Sequence, residues 1–367
     1  MKKIKVLKGK DRYEVFSGIG SFDLFPELIA QKGLNKNILY VIDENVMKYH
    51  SAKIKSVMEK TGGRNNIYIM PAGEKNKSKE CYNNILTFMT DNNYGRDSLI
   101  AAIGGGVTGD IAGFVASTYM RGIQLVQIPT TLLAIVDSSI GGKTGINFFN
   151  RKNIVGTFYQ PNFVLSDTVF LDTLPEDEIT SGTGEIIKYA FLSDRNFYND
   201  VNDSYNSIIS LNQKTLNRIV PVCINIKAEI VSEDEQESGL RKILNLGHTF
   251  AHAYESYFDF GIKHGNAVAA GIISSLFLSF KMGIINKSSL NYFLKLPSKI
   301  NYIYSDSLNK NEIINLMLSD KKNKEGKIKF ILIKDIGEIL IETEASRKGI
   351  AYAVQKTFIL HGPSGQN

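Results

Sequence analysis

The segment "SLIAAIGGGVTGDIAGF", Ser98 to Phe114, reads as a strand, a turn and a helix. Leu99–Ile103 is an unbroken apolar run of strand length, Gly104, Gly105 and Gly106 follow it at once, and a helical segment follows them. A strand that is apolar at every position is buried on both faces, as in a parallel sheet. In such a sheet ligands bind beyond the carboxyl ends of the strands. Residues without side chains at a helix start let a phosphate approach backbone N–H groups and the positive helix end. A tight turn needs one glycine; three in a row favour phosphate binding. The spacing is not G-x-G-x-x-G, so the usual dinucleotide fingerprint is absent.

The same alternation precedes this stretch. "NILYVID" (37–43) leads into a helix to about Lys60, and "NIYIMPAG" (66–73) leads into one through "CYNNILTFMT" (81–90). Repeated β-α units predict an α/β domain with a Rossmann-like parallel sheet and helices on its faces. Asp43 ends a strand, where a carboxylate can take a ribose hydroxyl or cap the next helix. From about Pro175 the pattern turns helical, in "EIIKYAFL", "LNRIVPVCINIKAEIVSEDE", "LNLGHTFAHAYESYF" and "GNAVAAGIISSLFLSFKMG", with few strand signals before "KIKFILI". The expected organisation is an α/β domain over 1–174, a mainly α-helical domain over 175–345, and a loose tail over 346–367, whose end "TFILHGPSGQN" is rich in turn formers.

At 367 residues the chain exceeds the usual single core, and 43% hydrophobic with 22% charged residues is an ordinary globular composition. The net charge of +6 is mild and the lysines are scattered, which points away from nucleic acid and suits a small anionic substrate. Cys81 and Cys223 form neither a disulfide framework nor a thiolate metal motif. The basic start "MKKIKVLKGKDRYEVF" lacks the apolar run of a signal peptide. The longest apolar stretch, Ala267–Phe280, is too short to cross a membrane and reads as a buried helix. A cytoplasmic location is the expectation.

"SSIGGKTGIN" (138–147) contains Gly-Lys-Thr, the end of a nucleotide-hydrolase phosphate loop. The first glycine of that motif falls on Asp137, a carboxylate where phosphate oxygens should sit, so the motif fails. Lys143 still needs a role.

Three of the five histidines, His248, His252 and His264, lie close together in the chain. His248 and His252 are four apart on a predicted helix, hence on one face; His264 falls in a glycine-flanked loop. With an acidic residue available in "GTGEIIKYA", a divalent-metal site with open positions is one reading and a solvated polar helix is the other. Thr249 follows His248, so the H-E-x-x-H of zinc proteases is absent. Basic and amide residues gather nearby: Lys188, Lys227, Arg241, Asn245 and "DKKNKEGK" from Asp320. Each alone reads as a solvated surface group; together they suit a substrate carrying phosphate and carboxylate groups.

The blocks "GGGVTGDIAGFVASTYMRG", "IPTTLLAIVDSSIGGKTGIN", "KNIVGTFYQP", "DEQESGLRKILNLGHTFAHAYE" and "HGNAVAAG", in order over most of the chain, resemble the 3-dehydroquinate synthase family of sugar phosphate cyclases. The resemblance implies an NAD-binding amino-terminal domain, a helical metal domain, a homodimer and a place in the shikimate pathway. It implies Glu185, His248 and His264 as ligands of zinc or cobalt. NAD+ contacts would come from Asp43, Asn45, Glu74, Lys77, Gly105, Gly106, Val107, Asp110, Thr130, Thr131, Lys143, Lys152, Phe170, Thr173 and Leu174. The substrate pocket would draw on Asp137, Lys143, Lys152, Asn153, Lys188, Lys227, Arg241, Asn245 and His252, with Lys321 or Lys322, and Arg121 would reach the neighbouring subunit's phosphate site. The implied reaction converts 3-deoxy-D-arabino-heptulosonate 7-phosphate to 3-dehydroquinate and phosphate, by transient oxidation with NAD+, phosphate loss, reduction, ring opening and aldol closure. His252 is the implied proton carrier.

Rival readings are another cyclase, such as a 2-deoxy-scyllo-inosose or epi-valiolone synthase, a metal-dependent polyol dehydrogenase, and an inactive binding protein. Arg241 and Asn245 favour the carboxylated substrate over the other cyclases' substrates. Retention of every implied metal ligand and of Lys188 disfavours an inactive protein.

Overall fold

In the computed structural model, residues 1–7, 12–34, 37–149, 151–301, 308–318 and 328–360 are described. The expected β-α alternation is present. Strands β1 (Lys2–Val6) and β2 (Tyr13–Ser17) are followed by α1 (Phe25–Gln31), β3 (Asn37–Asp43), α2 (Glu44–Thr61), β4 (Arg64–Met70) and α3 (Lys79–Asp91). Then come β5 (Leu99–Gly104), α4 (Gly106–Thr118), β6 (Gln124–Pro129), a hairpin of β7 (Lys143–Phe148) and β8 (Arg151–Phe158), and β9 (Phe163–Ser166). One seven-stranded sheet runs in the order β1-β2-β9-β6-β5-β3-β4; only the β1–β2 pairing is antiparallel.

The alternation along each strand explains how the sheet is covered. Ile38, Tyr40 and Ile42 of β3 pack with Phe22, Phe25 and Phe163 on one face, while Leu39 and Val41 pack with Ile85, Ile111 and Leu125 on the other. Both faces are apolar, hence the unbroken hydrophobic run in β5. Helix starts are fixed by side chains read directly from the sequence: Asp43 accepts from the N–H groups of Asn45 and Val46, and Ser78 accepts from Cys81 N–H.

The chain then forms α5 (Glu176–Leu192), α6 (Arg195–Asp203), α7 (Tyr205–Ile209), α8 (Gln213–Glu233), α9 (His248–Tyr257), α10 (His264–Lys281), α11 (Lys287–Leu294) and α12 (Lys310–Leu318). A hairpin of β10 (Lys329–Asp335) and β11 (Glu338–Glu344) precedes α13 (Arg347–Leu360). Two compact units result: Met1–Pro175 with Leu211–Gln236, and Glu176–Ser210 with Glu237–Asn367. The segment bearing α8 therefore joins the first unit. Its buried Leu216, Ile219, Val220 and Ile224 give it an apolar stripe, and it packs along β1, where Ser232 Oγ accepts from Leu7 N–H.

In the second unit α10 is the central helix, buried along nearly its whole length, with α5, α9 and α13 packed on it. Among the described residues no helix is long and apolar enough to cross a membrane. The loose tail expected over 346–367 is corrected through residue 360. Residues 347–360 form α13, whose buried Ile350, Ala353, Val354 and Phe358 enter the core, with Thr357 Oγ1 2.7 Å from Ser274 Oγ. Turn formers at the very end of the chain say nothing about the apolar spacing before them.

Candidate active site

In the first unit the glycine turn stands where the sequence places it. Gly105 precedes α4, which begins at Gly106 at the carboxyl end of β5. A recess there is lined by Gly104, Gly105, Gly106, Asp110, Ser138 and Ser139, among others. The glycines are also demanded by packing: a Cβ on Gly104 would stand 2.4 Å from Thr108 Oγ1, and one on Gly106 3.0 Å from Ser138 Oγ. Thr108 Oγ1, Ser138 Oγ and Ser139 Oγ are buried without a hydrogen-bond partner around this turn. Orphaned hydroxyls beside the half-buried amides of the helix start fit an anionic, oxygen-rich ligand group.

Beside the recess, Lys77 pairs with Asp110 and donates to Asn153 Oδ1. Asn147 ties the cluster together: its Nδ2 donates to Glu74 Oε1 at 2.8 Å, its N–H to Lys77 O at 2.8 Å, and its Oδ1 accepts from Asn153 N–H at 2.9 Å. Asn153 itself sits at φ 53, in the left-handed region. Asn147 carries no pattern of its own; its place beside the lysine motif is the signal the sequence offers. Asp137 lies in a π-helical turn, Ala134–Ser138. The Lys227 ammonium donates to both the Asp137 backbone oxygen, 2.7 Å, and carboxylate, 3.0 Å. Lys143 opens a strand, not a helix, after Gly141 and Gly142 at φ 93 and 67, which confirms that "GGKT" is no nucleotide phosphate loop.

In the second unit Glu185, His248 and His264 each present a ligand atom, all within 4.8 Å of one another. Glu185 Oε1 is 3.4 Å from His264 Nε2 and 3.7 Å from His248 Nε2, and Lys188 Nζ is 2.5 Å from Glu185 Oε2. His248 Nδ1 donates to Leu246 O at 3.1 Å, which fixes the tautomer that offers the Nε2 lone pair. Burial, then the Lys188 ammonium and the neighbouring imidazoles, hold His248 well below the usual histidine range, so it is neutral. Burial pulls His264 down as well, but the Glu185 and Glu255 carboxylates outweigh it and push the ring up to about 10. His264 is therefore a cation when the site holds no other. His264 begins α10; the loop expected around it is corrected, since Gly265 is tolerated inside a helix and the extended backbone at Lys263 gives way to helix at His264.

Residues 67–181 match the 3-dehydroquinate synthase N-terminal family and residues 182–323 the 3-dehydroquinate synthase C-terminal family. The 3-dehydroquinate synthase of Alkaliphilus oremlandii is 41% identical over 340 residues, 91% of this chain and 92% of the relative. That of Desulforamulus reducens is 37% identical over 339 residues, 92% and 94%. The chain belongs to the 3-dehydroquinate synthase family. Among solved structures, 2-deoxy-scyllo-inosose synthase complexed with carbaglucose-6-phosphate, NAD+ and Co2+ superposes with a TM-score of 0.86 at 25% identity, covering 97% of this chain and 99% of that one.

In the first unit, Asp43 and Asn45 form the α2 cap, Thr130 is buried with its N–H on Gly104 O, and Thr131 Oγ1 accepts from Ala134 N–H. Val107 is half-buried in the first turn of α4 and Lys152 half-buried in β8. Phe170 is a core residue packed on Phe22, and Thr173 meets His50 at 2.8 Å before Leu174. Arg121 is exposed at φ 66, after Met120 at φ 49. In the second unit, Arg241 is 1% exposed, Asn245 Nδ2 donates to Glu237 Oε1 at 2.6 Å, and the His252 ring lies 5.6 Å from that of His248. Lys321 and Lys322 lie outside the described residues.

Proposed function

We propose that the protein converts 3-deoxy-D-arabino-heptulosonate 7-phosphate to 3-dehydroquinate and phosphate, as a phosphate-eliminating cyclase that uses NAD+ and one zinc or cobalt ion. The observation that carries this is the Glu185–His248–His264 cluster, set in a family whose members bear the synthase name. One carboxylate and two imidazoles, one of them held neutral, are a donor set for a borderline divalent ion and leave positions for substrate oxygens. The glycine turn with its three orphaned hydroxyls fits the pyrophosphate of a dinucleotide. When bound, NAD+ supplies hydride transfer and the metal polarises a substrate oxygen.

The chain's own residues supply the rest. His252 carries the proton of the hydroxyl that is oxidised. Lys143, Lys152, Lys188, Arg241 and Asn245 bind the substrate's phosphate and carboxylate, and Lys227 holds Asp137 in place. Glu74, Lys77, Asp110 and Asn153 form the bonded cluster beside the cofactor turn. Arg121 serves a neighbouring copy in a homodimer, and the enzyme works in the cytoplasm. The carboxylate partners Arg241 and Asn245 favour this substrate over that of 2-deoxy-scyllo-inosose synthase. The test is phosphate release by purified protein, abolished by chelator and restored by zinc or cobalt; phosphate release left intact by His264→Ala would sink the metal assignment.

A further inference from the structure

Glu255 is a glutamate that the metal cluster does not include, yet it is only 3% exposed. It lies seven residues after His248 on α9, two turns along and on the same face. Its Oε1 stands 3.5 Å from His264 Nδ1, the ring nitrogen opposite the one that faces Glu185. A buried carboxylate is costly unless it is paired, and here its partner is a ligand's far side. The two imidazoles are thus backed differently: His248 by a backbone carbonyl at 3.1 Å, His264 by a full negative charge.

We propose that Glu255 is a positioning residue of the metal centre, accepting the His264 Nδ1–H so that Nε2 is turned toward the ligand site and made a stronger donor. Such outer partners fix the tautomer and ring orientation of ligating histidines and raise their basicity. Charge agrees in direction: Glu185 and Glu255 are two buried carboxylates facing His264, and they offset positive charge at a site where Lys188 already binds the second oxygen of Glu185. The inference rests on the metal reading above.

The test uses chelator-stripped full-length protein titrated with Co2+ against a competing chelator, followed by visible absorption, for wild type, Glu255→Gln, His264→Ala and the double variant. Glu255→Gln should weaken Co2+ about 10- to 100-fold while the absorption bands keep the wild-type shape, because the ligands themselves are unchanged. In the His264→Ala background the same substitution should change affinity by no more than about twofold, since its route to the ligand site through His264 is gone. Wild-type affinity in folded Glu255→Gln, an equal loss in both backgrounds, or an altered band pattern overturns the proposal. If Glu255→Gln does not fold, Glu255→Asp replaces it, and the same three outcomes decide. A wild-type protein that binds no Co2+ would instead overturn the metal reading itself.

Discussion

Gly184 and Gly265 meet backbone to backbone: a Cβ on Gly184 would stand 2.1 Å from the Gly265 carbonyl oxygen, and one on Gly265 1.7 Å from that of Ser181. Each glycine is next in the chain to a metal-cluster residue, so this crossing of α5 and α10 is what sets Glu185 against His264. Gly247 and Gly271 do the same for α9 and α10; a Cβ on Gly271 would lie 2.1 Å from Gly247 O, beside His248. The cluster forms where three helices approach too closely for side chains.

Gly184→Ala should therefore separate α5 from α10. Overpacking against backbone, which cannot rotate away, costs about 1–3 kcal/mol. Denaturant unfolding should show that loss, and Co2+ affinity should fall with it. Full retention of both would mean that the crossing can open without consequence.

Metal uptake should release a proton. With His264 pushed up to about 10 from an ordinary 6.5, the metal-free protein holds it charged at neutral pH, and a ligand must be deprotonated. The sign follows. In metal-free protein the charged ring's stabilisation is complete below about pH 6.5 and is lost as pH rises through about 10, whereas metal affinity rises over that same window, by up to about tenfold per pH unit. Calorimetric titration in buffers of different ionisation enthalpy counts the proton; a count of zero contradicts the assignment.

Lys227→Met removes the donor that holds both the backbone and carboxylate of Asp137. Hydrogen bonds to charged groups contribute about 1.5–3 kcal/mol each, so chemical unfolding should register a loss of that order, and catalytic rate should drop more than NAD+ affinity. An unfolding midpoint equal to wild type would show that the π-helical turn stands without it.

Phe358→Ala tests the carboxy-terminal helix. The ring is buried and edge-on to Tyr254 at 5.1 Å. Truncating it should cost about 3–5 kcal/mol, as for other core phenylalanines. A loose tail would give no change in thermal midpoint.

What was legible in the sequence was local. The run from Leu99 to Gly106 carries its own strand-length apolar stretch and turn chemistry, and three clustered histidines stand out when the chain has five. What was not legible depends on partners distant in sequence. Residues 211–236 read as one more helix of the second domain because periodicity shows an apolar face but not what covers it. Nothing in its own stretch of sequence marks Glu255, since a carboxylate's burial is decided by His264 on another helix. Asn147 has no pattern of its own; its three bonds exist only once the hairpin and the Glu74–Lys77 turn are folded together.

The proposed function requires that oxidation by NAD+ be transient and that phosphate leave. Purified metal-loaded protein given 3-deoxy-D-arabino-heptulosonate 7-phosphate should release phosphate over many turnovers per active site while NADH absorbance stays flat. NADH rising in step with product, or no phosphate release from that substrate, would overturn the proposed function.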